Sequence, residues 1–422
     1  MLARRGGGNE ENDVRPRYAR VSEEDGETMR VAILGGGCAG SSLAYYLARG
    51  GFTGEIDIFD RRTTFEAEQR WCSWGPVPDD FASLISYSWP RWSVTSSDTT
   101  VTRVLPRRPY VHIYAPDFYR YIFACLAAYP RVRLHTGVAV SHVKETSHGI
   151  RLETSDGSAV VDRVFDSRVP PAHDRSATAL SGAIHQSFVG QVVRTDRPVF
   201  DPSTATLMDF RVQSPEHDGL PFMYVLPFAP TCALVESTAF ATRTLSSDEH
   251  RARVAAYLSN RGTGRYTVER EERGDVIMTA ARYPLRPSPR HAMIGTAAGG
   301  LRPSSGYGFV RIQRHAQAVA TTVLRGAPPP PRLARPMDHL LDAVFLDAIA
   351  SSRELARDSF VRLFGQVPPS NLVRFMSDEG TLFDALALVR ALPKRPYLAA
   401  AARRLVPTAN AHALAPWARE DI

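Results

Sequence analysis

A short apolar run followed at once by a glycine-rich turn narrows the possible folds more than any other part of the sequence. Val31-Ala-Ile-Leu34 has the composition of a buried parallel strand, and Gly35-Gly-Gly-Cys-Ala-Gly40 follows it directly. Residues 41–49 continue in a helical pattern, and the next apolar run, residues 56–59, ends in Asp60. This order predicts the strand–turn–helix–strand unit that binds dinucleotides, whereas a plain glycine turn in an α/β domain is the alternative.

Each glycine of the turn has a physical reason to be there. Gly35 allows the tight turn, Gly37 lets the backbone approach a pyrophosphate, and Gly40 lets the helix pack against the strand. The N-terminus of the helix offers free N–H groups and a positive dipole end to phosphates. Asp60 follows Gly40 by twenty residues, where it is placed to accept hydrogen bonds from a ribose. We therefore predict that these four residues bind the cofactor.

A second glycine-rich segment favours FAD over NAD(P) as the bound dinucleotide. Residues 292–309 contain Gly295-Thr296, then a loop with Pro303 and Gly306, and an apparent helix follows over residues 310–324. This is the layout of the second FAD contact in hydroxylase-type flavoproteins, and simple NAD dehydrogenases need no such segment. A helix N-terminus near Gly306 would place a positive dipole end beside the anionic reduced flavin. Gly295 and Gly306 are thus further predicted FAD-binding residues.

The length and the order of the segments predict the domain organisation. The chain has 422 residues, 44% of them hydrophobic, which is enough for a large core and more than one compact unit. We predict an α/β fold, with a Rossmann-type FAD-binding domain, an inserted α+β substrate domain and a helical C-terminal region. We predict a disordered tail at residues 1–28 and a discontinuous FAD-binding domain at residues 29–168 and 283–326, which includes part of the catalytic insert from about residue 70. The substrate domain is predicted at residues 169–282 and the helical C-terminal region at residues 327–422.

Charge and periodicity limit the partners that the chain is expected to have. The net charge is +7, yet no zinc finger or basic array with interleaved aromatic residues is present, so we expect no nucleic-acid partner. Cysteine and histidine lack metal-ligand spacing, so we expect no metal. No apolar run reaches about eighteen residues, which argues against a spanning helix. In the C-terminal region, apolar residues at helical spacing alternate with arginine, which fits either a cap on the core or helices docked on an anionic membrane.

Several blocks of the sequence resemble those of bacterial and plant lycopene cyclases. The glycine motifs are shared by many flavoproteins, but the order Met-Asp-Phe-Arg, Tyr-Val-Leu-Pro-Phe and Leu-Val-Glu-Ser-Thr is much more specific. The resemblance extends from about residue 31 to residue 313 and more weakly to about residue 392. The blocks are Gly35–Ser41, Arg70–Trp74, Val164–Arg168, Gln186–Gly190, Leu207–Arg211, Tyr224–Phe228, Leu234–Thr238 and Gly295–Phe309.

The resemblance implies a flavoprotein isomerase of carotenoid biosynthesis, of the bacterial lycopene β-cyclase type. In such enzymes FAD is active in its reduced form, with NAD(P)H as the reductant and no net oxidation of the substrate. The ψ-end of lycopene or a related linear carotene is protonated, a six-membered ring closes, and a proton is lost. The essential glutamate of the family falls on Glu236, and the aspartate of its Met-Asp block falls on Asp209. The four scattered cysteines indicate reduced thiols in a cytoplasmic protein, and a hydrocarbon substrate further implies peripheral binding to the inner membrane.

The residues around both acids leave their roles open. Apolar neighbours on each side of Glu236 predict a partly desolvated carboxyl with a raised pKa, suited to proton transfer, although pairing with Arg211 is an ordinary alternative. Strand alternation places Asp209 and Arg211 on one face. They could form an ion pair, support Glu236 and the flavin, or take part directly, and we include Arg211 among the predicted pocket residues. Trp71 and Trp74 are the other predicted pocket residues, with ordinary core packing as the alternative.

Two further positions bear on the function: the first leaves the proton relay open, and the second favours the cyclase branch over redox hydroxylases. Ser237 stands where many relatives have a second acid, and Gly295-Thr296 replaces the Gly-Asp of redox flavin hydroxylases. The alternatives are a redox flavoenzyme (a monooxygenase, a halogenase or a geranylgeranyl reductase), a cyclase of another polyprenoid, and a non-catalytic isoprenoid-binding protein.

Overall fold

The computed structural model describes residues 28–66, 70–168, 183–212, 219–281, 285–329 and 335–405. The predicted disordered tail lies outside the described residues except for Thr28.

A five-stranded parallel sheet contains the predicted nucleotide-binding unit. The apolar run and the strand that ends in Asp60 pair in parallel, and a helix joins them, as the sequence predicts. A later strand returns to the same sheet beside the segment that contains Asp166. The order across the sheet is β18 (His291–Met293), β12 (Arg163–Asp166), β1 (Arg30–Leu34), β2 (Glu55–Asp60) and β8 (Val132–Thr136).

Two helices pack together beside this sheet. Helix α1 (Cys38–Arg49) follows the glycine turn, and α4 (Phe309–Leu324) follows the second glycine-rich loop. Gln313 of α4 donates hydrogen bonds from Nε2 to Ser42 Oγ of α1 at 2.8 Å and to Cys38 Sγ at 3.5 Å, and apolar side chains of the two helices pack around them. Helix α2 (Ala115–Leu126) packs in the same core. The two glycine-rich segments are therefore held side by side.

A seven-stranded sheet forms the second layer of the molecule. Its neighbouring strands are antiparallel, except for one parallel pair between residues 204–209 and 91–95. The order is β17 (Tyr266–Met278), β13 (Ile184–Thr195), β16 (Cys232–Ala241), β15 (Leu220–Ala229), β14 (Thr204–Asp209), β5 (Arg91–Thr95) and β6 (Thr100–Val104). The central β15 and β16 are buried along almost their whole length, because both of their edges are paired and both of their faces are covered.

Two smaller antiparallel sheets complete the strands of the described chain. One contains β3 (Arg70–Trp74), β7 (Tyr110–Tyr114) and β4 (Ile85–Trp89), with β7 in the centre. The other contains β9 (Val140–Thr146), β10 (Gly149–Thr154) and β11 (Gly157–Val161). Short 3-10 helices span Asp79–Leu84 and Gly295–Ala298.

Helices cover both faces of the seven-stranded sheet. Helix α3 (Ser247–Asn260) packs through Val254 and Leu258 on one face. The opposite face meets the C-terminal helices, where the Phe360 ring lies 5.8 Å from that of Phe240. Within the described chain, no helix has the length and apolar character needed to cross a membrane. The C-terminal helices are α5 (Pro336–Ile349), α6 (Arg353–Gln366), α7 (Pro369–Met376), α8 (Leu382–Ala391) and α9 (Lys394–Leu405).

Candidate active site

The first glycine turn forms a backbone cradle of the kind that holds a phosphate. Gly35 has φ +91°, and a Cβ at Gly40 would lie 1.9 Å from the Gly35 carbonyl oxygen, so neither position accepts a side chain. Gly37 is the N-cap of α1, and no side chain caps that helix end. Its first N–H groups can therefore bind an anion, and the residues present fit the pyrophosphate of a dinucleotide.

Asp60 lies at the carboxyl end of β2, directly beside this turn. Its Oδ2 accepts a hydrogen bond from the Gly36 N–H at 2.7 Å and pairs with the Arg62 guanidinium at 2.7 Å. Burial by itself raises the pKa of this carboxyl, but the bonds from Arg62 and Gly36 outweigh it, so the pKa is lowered. Asp60 is thus ionised and fixes the turn, whereas its bond to a ribose stays a prediction.

The second glycine-rich loop packs against the first. Gly295 has φ +61°, and a Cβ there would lie 2.5 Å from Ala39 Cβ in the first turn of α1. Gly306 has φ +70°, and a Cβ there would lie 2.8 Å from Gln186 Oε1 on β13. That oxygen is buried without a hydrogen-bond partner among the described residues. The loop therefore joins the nucleotide-binding turn to the seven-stranded sheet through close approaches that only glycine permits.

A cavity of about 1040 Å³ extends from this loop between the seven-stranded sheet and the C-terminal helices. It reaches from Cys38 in the glycine turn to Leu398 in α9, and most of its lining is apolar or aromatic. Its volume is at the upper end of the roughly 300–1,000 Å³ typical of ligand pockets. The shape and lining suit a long apolar ligand whose end lies beside the glycine-rich loops.

Glu236 is a buried acid of this cavity. It lies on β16 in register with Gly190 of β13 and Tyr224 of β15, is 8% exposed, and accepts a hydrogen bond from the Thr238 hydroxyl at 2.7 Å. Burial and the nearby Glu272 carboxylate raise its pKa to about 8, against smaller opposite effects of Thr238 and Arg70. Glu236 is therefore mostly protonated at neutral pH and can donate a proton there.

Asp209 and Arg211 lie on the opposite face of the sheet. Asp209 is in register with Met223, and Met223 with Ser237, so all three face α3 rather than the cavity. The Asp209 carboxylate pairs with the Arg211 guanidinium at 2.7 Å and accepts a hydrogen bond from the Tyr257 hydroxyl of α3 at 3.2 Å. Burial alone raises the pKa of Asp209, but Arg211 outweighs it and the pKa is lowered.

This geometry corrects three parts of the sequence interpretation. Arg211, predicted to line the pocket, is absent from the cavity wall, and Glu236 does not form the ion pair with Arg211 that was its alternative. Asp209 is not brought to Glu236 either, because successive strand residues point to opposite faces and the two acids fall on different ones. Of the roles left open for Asp209, the ion pair is the one that the structure contains.

The cavity contains an aromatic cluster of which the sequence indicated only part. Both predicted tryptophans line the cavity. The ring of Trp71 stacks on that of Phe309 at 5.3 Å, and Trp74 lies 5.3 Å from Tyr307. The Tyr110 hydroxyl lies 3.0 Å from the hydroxyls of Tyr224 and Tyr307. Tyr224 and Tyr307 are parts of family blocks, but nothing in the sequence revealed that the fold brings Tyr110 to them.

An ion pair beside Glu236 was also missed from the sequence. Arg70 of β3 lies 2.9 Å from Glu272 Oε2 of β17, and the two side chains are 5% and 10% exposed. Glu272 belongs to the run Glu269-Arg-Glu-Glu-Arg273, which is typical of a solvated strand. Its alternation on an edge strand was the one available signal that some of these charges point inward.

In the described chain no group of His, Cys, Asp and Glu has the arrangement of a metal site.

Comparisons with known proteins agree with this architecture. The family model for lycopene cyclase protein matches residues 30–402. A chloroplastic lycopene beta cyclase from an Oncidium hybrid cultivar is 27% identical over 337 residues, which cover 73% of this chain and 66% of that protein. The lycopene beta-cyclase of a Paracoccus species is 29% identical, over 50% of this chain and 61% of the relative. The matches thus span just under two thirds of these relatives.

Solved structures share the fold at low sequence identity. A geranylgeranyl bacteriochlorophyll reductase-like protein from Thermoplasma acidophilum aligns with a TM-score of 0.64 and 12% identity, over 90% of this chain and all of that one. A variant of the halogenase PltM in complex with FAD aligns with a TM-score of 0.54 and 13% identity, over 82% of this chain and 78% of the halogenase. These likenesses confirm the predicted Rossmann-type flavoprotein fold. Since the family model matches most of its length, the chain belongs to the lycopene cyclase family.

Proposed function

We propose that this protein is a lycopene β-cyclase, which closes a ψ-end group of lycopene into a β-ring. The observation that carries the proposal is Glu236, a buried carboxyl that is protonated near neutral pH and lies in a long apolar cavity. The names of its relatives support the same reaction. The substrate is a hydrocarbon with no polar group to bind, so a cavity of this lining is the recognition element that it requires.

Ring closure needs one proton delivered and one removed. Glu236 donates its proton to the terminal double bond of the ψ-end, which leaves a tertiary carbocation. The electrons of a second double bond form the new carbon–carbon bond and move the positive charge onto the ring. Loss of a ring proton to the Glu236 carboxylate then gives the new double bond and restores the acid. The product is an isomer of the substrate, and a β-ring forms when the proton leaves the ring-junction carbon.

The remaining cavity residues exclude water and stabilise positive charge. The rings of Trp74, Tyr110 and Tyr307 pack edge to face in the cavity wall. A desolvated π-face beside a cation is worth on the order of 2 kcal/mol. Burial raises the pKa of each of these tyrosines, so their hydroxyls stay neutral and do not quench the cation as phenolates. An apolar wall also keeps out water, which would otherwise trap the cation as an alcohol.

FAD is the cofactor that we propose for the two glycine-rich segments. Gly35, Gly37, Gly40 and Asp60 would hold its dinucleotide part, and the loop with Gly295 and Gly306 would hold its ring. When bound in its reduced form, with NAD(P)H as the reductant, FAD supplies an electron-rich surface beside the cavity. Flavin absorbance of the purified protein tests binding. Replacement of Gly40 by valine should abolish that absorbance, because its side chain would meet the Gly35 carbonyl.

Expression in a bacterium that accumulates lycopene tests the reaction. The wild-type protein should convert lycopene into β-carotene, and Glu236→Gln should abolish conversion while keeping flavin and fold. Glu269→Gln is the matched control, because Glu269 pairs with Arg194 at the exposed surface. Unchanged lycopene beside soluble, flavin-loaded wild-type protein would refute the proposal. Consumption of one NAD(P)H per product in a purified assay would show a redox enzyme instead.

A membrane is the source from which we propose that the substrate reaches the cavity. Leu382, Phe383 and Leu386 of α8 are 65%, 79% and 49% exposed, and Leu398 of α9 is 67% exposed. Leu398 also lines the cavity, so this apolar surface adjoins its wall. The basic residues Arg390, Lys394 and Arg395 are exposed beside it. An apolar surface flanked by cations suits the interface of an anionic membrane, in agreement with a peripheral location at the inner membrane.

Vesicle flotation tests this surface. The purified protein should float with vesicles of phosphatidylcholine and phosphatidylglycerol, and less with phosphatidylcholine alone. The double substitution Phe383→Ser and Leu386→Ser should reduce flotation at least about fivefold, because each apolar side chain contributes on the order of 1 kcal/mol of burial. Val268→Ser, at an exposed apolar residue of β17, is the control. Equal flotation of both variants would exclude α8 as the docking surface.

A further inference from the structure

Two glutamate side chains of the cavity wall meet beside Gly190. Glu236 of β16 and Glu272 of β17 are both in register with Gly190, which lies between them on β13. A Cβ at Gly190 would lie 3.2 Å from Glu236 Oε2 and 3.3 Å from Glu272 Cγ. The missing side chain therefore gives both acids access to the same space. Two carboxyl groups in such a space do not both ionise easily.

Arg70 decides which of the two acids carries the charge. Its guanidinium lies 2.9 Å from Glu272 Oε2, and both side chains are nearly inaccessible to water. An opposite charge at this distance favours the ionised form of a carboxyl. Glu236 instead accepts a hydrogen bond from the neutral hydroxyl of Thr238. The neighbours of the two acids thus differ in charge, and Glu272 is the one that stays ionised.

The other titratable groups near Glu236 are neutral. Cys72 of β3, Tyr224 of β15 and Tyr307 of the second glycine-rich loop face it from the elements packed around it. Burial raises the pKa of the Cys72 thiol to about 12 and the pKa values of both tyrosines well above their ordinary value. Among the described residues that face Glu236, the charges are therefore those of Glu272 and Arg70. The negative charge of Glu272 outweighs the positive charge of Arg70 in its effect on Glu236.

We propose that Glu272, held by Arg70, is a positioning residue that keeps Glu236 in its proton-donating form. This role rests on the proposed function, since it concerns the same acid. After Glu236 has protonated the substrate, two carboxylates lie close together, and the one without a cationic partner is the stronger base. The ring proton therefore returns to Glu236 and not to Glu272. One proton leaves Glu236 and one comes back, so each turnover ends with the acid ready for the next.

Infrared titration of the Glu236 carboxyl tests the proposal without a cyclase assay. The C=O stretch that is present in the flavin-loaded wild-type protein and missing from Glu236→Gln reports the protonated acid. In Glu272→Gln its midpoint should fall by about one pH unit or more, because a repelling charge is removed and Arg70 is left to attract the Glu236 carboxylate. Glu269→Gln should leave the midpoint unchanged. An unchanged midpoint in Glu272→Gln overturns the proposal, whether or not the protein cyclises lycopene.

Two further variants separate charge from structure. Glu272→Asp keeps the negative charge and should restore most of the wild-type midpoint, whereas a merely structural role would leave it as low as in Glu272→Gln. If Glu272→Gln does not fold because Arg70 is left without its partner carboxylate, the double variant Arg70→Gln and Glu272→Gln replaces it, because this variant removes both charges of the ion pair. Its midpoint should also fall, by less than in the single variant. A midpoint equal to or above that of the wild type would overturn the proposal.

Discussion

Gly190 and Glu236 lie opposite each other on neighbouring antiparallel strands, and a Cβ at Gly190 would lie 3.2 Å from Glu236 Oε2. The acid of the cavity is therefore placed by the absence of a side chain on the adjacent strand. Gly190 has an ordinary negative φ in an extended strand, so the backbone does not require glycine there. What requires it is the space that the carboxyl occupies.

The substitution Gly190→Ala should impair the acid more than the fold. The new methyl group would lie 3.0 Å from Leu234 Cδ1, 3.2 Å from Glu236 Oε2 and 3.3 Å from Glu272 Cγ, so these side chains must move. We expect at least a tenfold loss of cyclase activity, with a loss of about 1–3 kcal/mol in the free energy of unfolding. Gly365→Ala is the control, since its Cβ would make only an ordinary 3.4 Å contact. Full activity in Gly190→Ala would contradict this account.

Glu236→Gln should abolish activity and yet stabilise the protein at alkaline pH. The pKa of this carboxyl rises on folding from its ordinary 4.5 to about 8, so the folded state binds more protons between these values. The wild type therefore loses stability as pH rises through this range, by ~1.4 kcal/mol for each unit of the shift. Glutamine carries no such penalty. Chemical denaturation should show that the free energy of unfolding of the variant, relative to the wild type, is higher at pH 8.5 than at pH 5. The same difference in unfolding free energy at both pH values would argue against a raised pKa of Glu236.

The same ionisation predicts the pH dependence of catalysis. Glu236 donates a proton only in its neutral form, so the turnover rate should fall as pH rises through about 8. A rate measured on vesicle-bound lycopene between pH 6 and pH 9.5 gives this profile, with flavin absorbance recorded at each pH to exclude loss of cofactor. Turnover that rises across this interval would mean that the catalytic acid is another group.

Asp209→Asn should act on stability and leave the cavity intact. Asp209 is 1% exposed and is held by Arg211 and Tyr257 on the face that packs against α3. Loss of its charge weakens these bonds, and we expect a loss of about 1–3 kcal/mol. The pKa of Asp209 is lowered in the folded protein. Its carboxylate therefore stabilises the wild type at pH values above the ordinary pKa of aspartate, and this contribution is lost in acid. A variant with wild-type melting temperature but no activity would instead restore a direct role for Asp209.

A buried ion pair should couple the second glycine-rich loop to the C-terminal helices. Arg302 of the loop lies 3.2 Å from Asp342 Oδ1 of α5, both are almost fully buried, and the Arg302 guanidinium also bonds the Phe375 carbonyl. Arg302→Met leaves Asp342 buried without its cation, which should cost about 3–5 kcal/mol. Adding Asp342→Asn should recover part of that loss in a denaturation cycle. Additive losses would show that the two residues do not interact.

Local features of the sequence were sufficient for the nucleotide-binding half of the site. The strand, the turn that contains Gly35 and the helix that follows are neighbours in the chain, so their pattern could be read directly. Glu236 was indicated by resemblance to a family, and its apolar neighbours correctly predicted burial and a raised pKa. Strand alternation predicted Asp209 and Arg211 on one face, and the two side chains do pair, although β14 ends at Asp209 and Arg211 lies beyond the strand. It could not predict that this face lies away from the cavity.

The α/β flavoprotein fold and the glycine-rich turns could be predicted from the sequence, because they depend on short-range patterns of glycine and apolar spacing. The family was indicated by the resemblance of several sequence blocks to those of lycopene cyclases. Short-range patterns could not show that Glu272 and Arg70 meet Glu236 beside Gly190, or that Asp209 faces α3, because both arrangements bring distant segments of the chain together. The register between β13, β16 and β17 fixes which side chains become neighbours. That register comes from the packing of both sheet faces, and a shift of one residue in β16 or β17 would turn Glu236 or Glu272 to the opposite face of the sheet.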